Sequence, residues 1–251
     1  MNTRPRTHTL PSGTRAQPAA PAAEPNTVFP EAVLRQSHAV RQAGLPCVKR
    51  MPAYLQLLRR LQAEGQEFVS GTVLAGVHQW EPVIVRKDLA LTGAVGTPRV
   101  GFRVAELIKT IEKFLGWDNQ TRAVLVGAGN LGAALLGYEG FQNYGIRIIA
   151  AFDSRPTVAG TWLHGRKVQP LGRLSSFVRR GEIRLGVLTV PEEAAQAAAD
   201  LMVRAGIRGI WNFTPCKLRL PANVVAQKED LAEGLAVLSR RLNQLPAAPA
   251  A

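Results

Sequence analysis

The sequence predicts an α/β protein: an N-terminal winged helix-turn-helix domain, then a Rossmann-like nucleotide-binding domain closed by a C-terminal helix. Three observations predict it. The apolar strand pattern Ala123–Val126 runs directly into Gly127-Ala128-Gly129-Asn130-Leu131-Gly132, with Asp153 standing 21 residues past Gly132. Strand-like and helix-like apolar periods alternate from residue 123 to 212. Ahead of them, three short helical patterns and a glycine-rich ribbon occupy Pro52–Val104.

The G-x-G-x-x-G spacing has a physical basis. Gly127 permits a tight turn, Gly129 lets bare backbone approach a pyrophosphate, and Gly132 lets the next helix pack closely on the sheet. The N-terminal amides and dipole of that helix face the phosphate charge. Asp153 ends the apolar run Ile148–Phe152 and so falls at a strand tip, where a carboxylate accepts hydrogen bonds from ribose hydroxyls and repels a 2′-phosphate. With strand, helix and acid in place, the motif reads as a nucleotide site rather than a structural glycine turn.

Residues 1–45 are rich in Pro, Ala, Thr and Arg and include Gln17-Pro18-Ala19-Ala20-Pro21-Ala22-Ala23. Such a segment buries too little apolar area to offset its ordering entropy, so a disordered basic tail is expected, with a short helix available at Glu31–Gln42. Residues 46–116 are expected to form the winged-helix unit. From Pro52 onward, Tyr54, Leu55, Leu58 and Leu61 recur with helical period and Gly65 stops the element. A second helix follows Ser70 as N-cap, with a turn at Gly76. A third begins near Glu81-Pro82, where proline suits the first helical turn. Gly93–Val104 reads as a hairpin by its glycines.

A helix over about Ala105–Leu115 joins this unit to a nucleotide-binding domain over residues 117–229. There the expected order is strand 123–126, helix 130–139, strand 147–152, helix 171–179, strand 184–189, helix 191–204 and strand 208–212, a pattern that means a parallel sheet covered on both faces. Residues 230–245 form a last amphipathic helix with Leu231, Leu235, Leu238, Leu242 and Leu245 on one stripe. That stripe packs either on its own domain or against a second subunit.

Thirty-one Lys and Arg against eighteen Asp and Glu give a net charge of +13, which points to a polyanionic partner. The excess is spread as +5 over residues 1–50, +2 over 51–116 and +6 over 117–251, so charge alone does not locate a nucleic-acid surface. Cys47 and Cys216 fit neither a disulfide framework nor a zinc cluster, and no metal site is expected. No apolar run approaches the roughly 20 residues that span a bilayer. The arginine-bearing N-terminus lacks an apolar signal core, so a cytoplasmic protein without a membrane partner is expected.

Cations fall where a winged domain meets DNA. Arg86 and Lys87 lie on the expected recognition helix; Arg86 can reach a guanine edge bidentately, and Lys87 a phosphate. Arg99 and Arg103 lie on the ribbon, placed for a narrow A·T-rich minor groove. Taken alone, the pentapeptide Val85–Leu89 reads equally as a solvated helix face.

With these residues assembled, the chain from about Met51 to Leu242 resembles Rex, the bacterial redox-sensing transcriptional repressors. The resemblance rests on collinear segments: Met51–Leu55, Val85–Leu89, Val126–Gly132, Tyr138–Phe141, Phe152-Asp153, Leu188–Pro191, Ala205–Ile210 and Asn212–Pro215. It implies a homodimer whose C-terminal helix is exchanged between subunits, which accounts for the leucine stripe. It also implies binding to double-stranded operator DNA with A/T-rich inverted repeats. NAD(H) is then a sensed ligand, not consumed: NADH releases DNA and NAD⁺ competes weakly. The implied cofactor residues are Gly127, Ala128, Gly129, Asn130, Leu131, Gly132, Asp153, Arg155, Thr189, Val190, Pro191, Asn212, Phe213, Thr214 and Pro215. Tyr138, Gln56 and Asp230 fall at the implied switch and dimer contacts.

The chain departs from the family pattern at several points. The turn Val77–Pro82 is longer, Ile84 stands where glutamine is usual, and the wing reads Thr97-Pro98-Arg99-Val100-Gly101-Phe102. Gln56 replaces an arginine that, in the family, pairs with an aspartate matching Asp230. After the second strand Asp153-Ser154-Arg155-Pro156 replaces Asp-x-Asp-Pro. Arg155 can neutralise a 2′-phosphate, but Asp153 argues for NAD(H) and outweighs it in this reading.

An enzyme on this cofactor needs a proton relay beside the nicotinamide. Of the four histidines, His8 and His38 lie in the tail, His78 precedes the recognition helix and His164 sits in a core loop. No catalytic residue is assigned, and a sensor rather than an enzyme is expected. An NAD-dependent oxidoreductase and a CoA- or nucleotide-binding module without DNA function remain the alternatives.

Overall fold

The structure, a computed structural model, describes Met1 and residues 44–245. The expectations for the tail, including the helix at Glu31–Gln42, lie outside the described residues. The first part contains helix α1 (Leu45–Ala63), strand β1 (Phe68–Val69), helices α2 (Gly71–His78) and α3 (Pro82–Thr92), strand β2 (Phe102–Arg103) and helix α4 (Val104–Leu115). Helix α1 does not begin at Pro52 but runs through it from Leu45, with Pro46 in its first turn. Met51, Tyr54, Leu55 and Leu58 hold it there, buried in a core shared with Leu74, Val85, Leu89, Val104, Leu107 and Ile111. That burial outweighs the single helical hydrogen bond that Pro52 forfeits.

Ser70 caps α2 as its sequence predicts, its hydroxyl accepting from the Val73 amide at 3.2 Å. The turn expected at Gly76 is displaced: α2 runs through Gly76 to His78 and stops at Gln79, which adopts a left-handed φ of 53°. An interior glycine costs a helix only about 1 kcal/mol, too little to end one supported by tertiary packing. Helix α3 starts at Pro82 as expected and ends at left-handed Gly93.

The ribbon after α3 is not the simple hairpin that its glycines predict. Thr97 and Gly101 form one isolated antiparallel bridge, while β2 pairs with β1. Gly101 explains the arrangement, since a Cβ there would lie 2.4 Å from the Val69 carbonyl oxygen. The wing is thus a tight loop stitched to the segment ahead of α2.

Beyond Gly116 the chain forms β3 (Thr121–Val126), α5 (Asn130–Gly137), a 3₁₀ turn (Glu139–Tyr144) and β4 (Ile146–Asp153). A small hairpin follows, β5 (Trp162–Leu163) with β6 (Arg166–Lys167), then β7 (Gln169–Pro170). Helix α6 (Leu174–Gly181), β8 (Leu185–Leu188), α7 (Glu192–Ala205), β9 (Gly209–Asn212), β10 (Val225–Lys228) and α8 (Leu231–Leu242) complete the described residues. The parallel sheet has the order β7-β4-β3-β8-β9-β10. Relabelled from β3, this is 3-2-1-4-5-6, the doubly wound arrangement. Its two faces are covered by separate apolar clusters, one around Val124, Phe152, Leu188 and Met202, the other around Leu125, Ala151 and Val187. Strands β5, β6, β7 and β10 were not expected; each pairs over two to four residues, too short a span for an alternating pattern to stand out.

Arg59 joins the two parts. Its guanidinium donates to Glu112 of α4 and to the carbonyl of Asn143 in the 3₁₀ turn, both at 2.8 Å. Helix α8 leaves Leu235, Val237, Leu238, Leu242 and Leu245 exposed, so these side chains do not fold back on this chain. No helix of the described residues is long and apolar enough to cross a membrane.

Candidate functional site

In a doubly wound sheet the crevice opens where strand order reverses, here between the C-terminal ends of β3 and β8. A cavity of about 720 Å³ lies at that point, lined by Gly127, Gly129, Asp153, Arg155, Thr189 and Pro191 among others. Val190 also borders it. Two of the three motif glycines are required by the fold itself. Gly127 has φ +103°, and a Cβ on it would sit 2.6 Å from the Thr189 carbonyl oxygen. A Cβ on Gly132 would lie 1.9 Å from the Gly127 oxygen.

Gly129 differs. It caps the N-terminus of α5 with an ordinary φ of −78°, and a Cβ there would meet nothing nearer than the Arg155 Nη2 at 3.8 Å. The protein's own packing does not require glycine there. The turn therefore leaves bare backbone at the N-terminus of α5, where the orphan amides lie. Ala128, Asn130 and Leu131 complete the bend: Ala128 is buried, and Leu131 is exposed on the first turn of α5.

Asp153 ends β4 and is 4% exposed. Its Oδ2 accepts from the Ala128 amide at 2.8 Å and from Arg155 Nη2 at 2.9 Å. Its Oδ1 accepts from the Arg155 amide at 2.8 Å and from Arg155 Nε at 3.0 Å. The Arg155 guanidinium, against the opposing effect of burial, holds the Asp153 carboxyl below the usual aspartate range, and the two backbone amides add to that. Asp153 itself raises the Arg155 pKa in turn.

Thr189 ties the two strand ends together, its hydroxyl donating to the Gly127 carbonyl at 2.7 Å. The expected residues Asn212 and Thr214 do not line the cavity. Asn212 is buried at the end of β9 and accepts from the Thr214 amide and hydroxyl at 2.9 and 2.7 Å, while its own amide donates to the Cys216 carbonyl at 3.0 Å. These residues form a polar knot that shapes the Asn212–Pro215 turn. Phe213 belongs instead to an aromatic row of Tyr138, Phe141, Trp211 and Phe213, with successive ring centroids 4.8, 5.2 and 4.8 Å apart.

The sequence reading missed one wall. Ala194, Ala197, Ala198 and Leu201 of α7 face the cavity, with Arg204 at its edge. Their spacing of i, i+3, i+4, i+7 after Pro191 was a legible signal: small side chains on one helical face leave room for a flat ring. His164 lines a separate cleft of about 290 Å³ with Arg147 and Arg166, and is not among the residues around the glycine bend. Among the described residues no cluster of His, Cys, Asp and Glu could hold a metal ion.

The other expected site residues lie in the first part of the chain. Helix α3 turns Val85, Asp88 and Leu89 inward and leaves Arg86 and Lys87 exposed side by side. The inward Asp88 receives Arg50 Nε and Nη2 at 2.6 and 2.7 Å and the Tyr54 hydroxyl at 3.0 Å. Burial pushes the Tyr54 hydroxyl pKa up, and Asp88 adds to the shift. Arg99 is exposed at the wing tip with φ 64°. Arg103, expected to enter a groove, is engaged within the chain: it donates to Glu67 at 2.6 Å, lies 3.6 Å from Glu106 and stacks over Phe68. Gln56 is exposed on α1, and Asp230 caps α8, accepting from the Ala232 amide at 3.0 Å.

Comparison with known proteins agrees with this geometry. A family model described as "Putative DNA-binding protein N-terminus" matches residues 45–90, and one described as "CoA binding domain" matches residues 118–216. The redox-sensing transcriptional repressor Rex of Treponema denticola is 46% identical over 198 residues, covering 79% of this chain and 94% of that protein. The crystal structure of RSP in complex with β-NAD⁺ and operator DNA matches with a TM-score of 0.76 and 32% identity, over 80% of this chain and 93% of that one. RSP in complex with β-NADH matches with a TM-score of 0.73 and 31% identity, over 80% and 94%. With that identity spread over four fifths of its length, the chain belongs to the Rex family of redox-sensing transcriptional repressors.

Proposed function

We propose that this chain is a DNA-binding transcriptional repressor that senses the NADH/NAD⁺ ratio and releases operator DNA when NADH binds. The observation that carries the reading is the likeness over four fifths of the chain to RSP, solved both on operator DNA and with NADH. The site fits the ligand by its own geometry, since Gly129 leaves open a space that the fold does not need and the cavity sits at the strand-order reversal. In this reading Gly127–Gly132 and Thr189–Pro191 hold the dinucleotide, and Asn212–Pro215 shape its rim. The dinucleotide is bound and released unchanged, with no catalytic residue, and the protein works in the cytoplasm.

Arg86 reads a base edge, Lys87 meets phosphate and Arg99 enters the minor groove of an A/T-rich inverted repeat. Arg103 braces the wing that presents Arg99. Residues 46–116 serve as the DNA unit, 117–229 as the nucleotide unit and 230–245 as the dimer helix. The exposed leucines of α8 support a homodimer, since each leucine fully buried against a partner contributes about 2 kcal/mol. Tyr138, exposed at the end of α5, and Asp230 lie at the contacts that change between the two dimer poses, with Gln56 altering the balance between them. NADH shifts that balance only by differing in affinity for the two poses.

Gel-shift titration tests this reading. NADH is expected to lower operator binding at concentrations where NAD⁺ has much less effect. Gly129→Asp directs a carboxylate at the pyrophosphate and is expected to retain DNA binding while losing the NADH response. Arg86→Ala is expected to weaken operator binding by about 1–3 kcal/mol while calorimetric NADH binding persists. Indistinguishable NADH and NAD⁺ curves would remove the redox-switch function. The match to a CoA-binding family model gives a second ligand class, and calorimetry with CoA beside NADH separates the two.

A further inference from the structure

Asp153 stands at the strand tip where a carboxylate ordinarily receives the hydroxyls of the adenosine ribose. A carboxylate offers about four lone-pair positions. Here all are engaged within the chain, two on each oxygen, by the Ala128 amide, the Arg155 amide and two guanidinium nitrogens of Arg155. Asp153 therefore has no acceptor left for a ribose hydroxyl while Arg155 stays in place. Its charge is also matched by a bidentate partner, which removes the repulsion that an unpaired carboxylate would exert on a phosphate.

Arg155 has the opposite surplus. A guanidinium carries five N–H donors, and the contacts to Asp153 use only part of that set. The Arg155 side chain is 56% exposed, borders the cavity and comes within 3.8 Å of the position a Cβ would take on Gly129. Ser154 also lines the cavity, and Arg204 brings a second cation to the lining. The charged side chains around the cavity are Asp153, Arg155 and Arg204, a net positive set.

We propose that Arg155 makes this site receptive to a phosphate on the 2′-oxygen of the adenosine ribose, so that NADPH binds as well as NADH does. The proposal rests on the dinucleotide reading above and names the specificity-determining residue within it. Planar, forked donors suit a phosphate better than a hydroxyl, and Asp153 orients the fork.

Calorimetry on the full chain tests it, with NADH and NADPH as ligands and 5′-AMP and 2′,5′-ADP as fragments. The expected result is an NADPH dissociation constant within tenfold of that for NADH, and tighter binding of 2′,5′-ADP than of 5′-AMP. Arg155→Ala is expected to raise the NADPH-to-NADH ratio of dissociation constants at least tenfold, because it removes the phosphate contact and frees Asp153 for the ribose. If NADH binds and NADPH is more than tenfold weaker, or the ratio does not move in Arg155→Ala, the specificity proposal falls while the dinucleotide reading stands. If neither dinucleotide binds, both fall.

Discussion

Each half of this protein buries an aspartate against a bidentate arginine, and the two pairs behave as different devices. Asp88 lies inside the first part and is joined to Arg50 and Tyr54, residues 38 and 34 positions away on another helix. Asp153 lies at the C-terminal end of β4 and is joined to Arg155, two positions away in the turn that follows. The first pair fixes the roll of α3, so that Arg86 and Lys87 point outward. The second constrains little beyond its own turn, and its arginine remains open to solvent and to whatever enters the cavity. Sequence separation and exposure, not the residue types, divide a structural ion pair from a ligand-facing one.

The comparison is broken most directly by removing each acid. Asp88→Ala leaves Arg50 without its buried partner and is expected to lower stability by about 3–5 kcal/mol, read by thermal or urea unfolding. Asp153→Asn, whose arginine is more than half exposed, is expected to cost about 1 kcal/mol. Equal losses would mean that both pairs are structural. The Asp153 pair also carries a pH signature. Its folded pKa is depressed, so its contribution is present above the ordinary aspartate value of 3.8 and is lost as pH falls through the lowered one. Asp153→Asn is expected to flatten the stability profile in that acid range.

The glycines sharpen the same division within the nucleotide unit. Gly132→Ala forces a Cβ onto the Gly127 carbonyl oxygen and is expected to cost about 3 kcal/mol of stability. Gly129→Ala has room and is expected to cost under about 1 kcal/mol, with its effect appearing in dinucleotide affinity instead. A stability loss at Gly129 as large as at Gly132 would overturn the assignment of that position to the ligand.

The smallest effect lies at the thiols. Cys47 is buried beside Asp88, and burial, with Asp88 adding to it, pushes its pKa up to about 11. Cys216 is only partly buried in the Asn212 knot. Iodoacetamide at pH 8 is expected to label Cys216 first and Cys47 only on unfolding. Simultaneous labelling would mean that the Asp88 pair does not close its region. The same shift implies stability that is present below pH 9 and lost as pH rises toward 11.

Much of the chain was legible because its signals are local. Gly127-Ala128-Gly129-Asn130-Leu131-Gly132 follows an apolar strand without a gap, and in the first part Ser70 and Pro82 mark helix starts by their own chemistry. The wing was less legible, because a two-residue strand has no period and β2 finds its partner in β1 rather than in its own hairpin. Arg103 illustrates the consequence. Its place on a glycine-rich ribbon suggested DNA, but Glu67, brought alongside by the β1–β2 pairing, takes its charge.

The sequence by itself determined the main helices and four of the six parallel strands, the glycine bend and its acid, and the pair of exposed cations on α3. Each of these depends on neighbours within one or two turns of chain. The tertiary structure alone decided that Asp153 is saturated by Arg155, that Ala194, Ala197 and Ala198 form the missing wall, and that Asn212 and Thr214 bond to each other. Those outcomes depend on how strands far apart in sequence align, and on which lone pairs remain once every nearby donor has found an acceptor. Spacing along the chain carries neither.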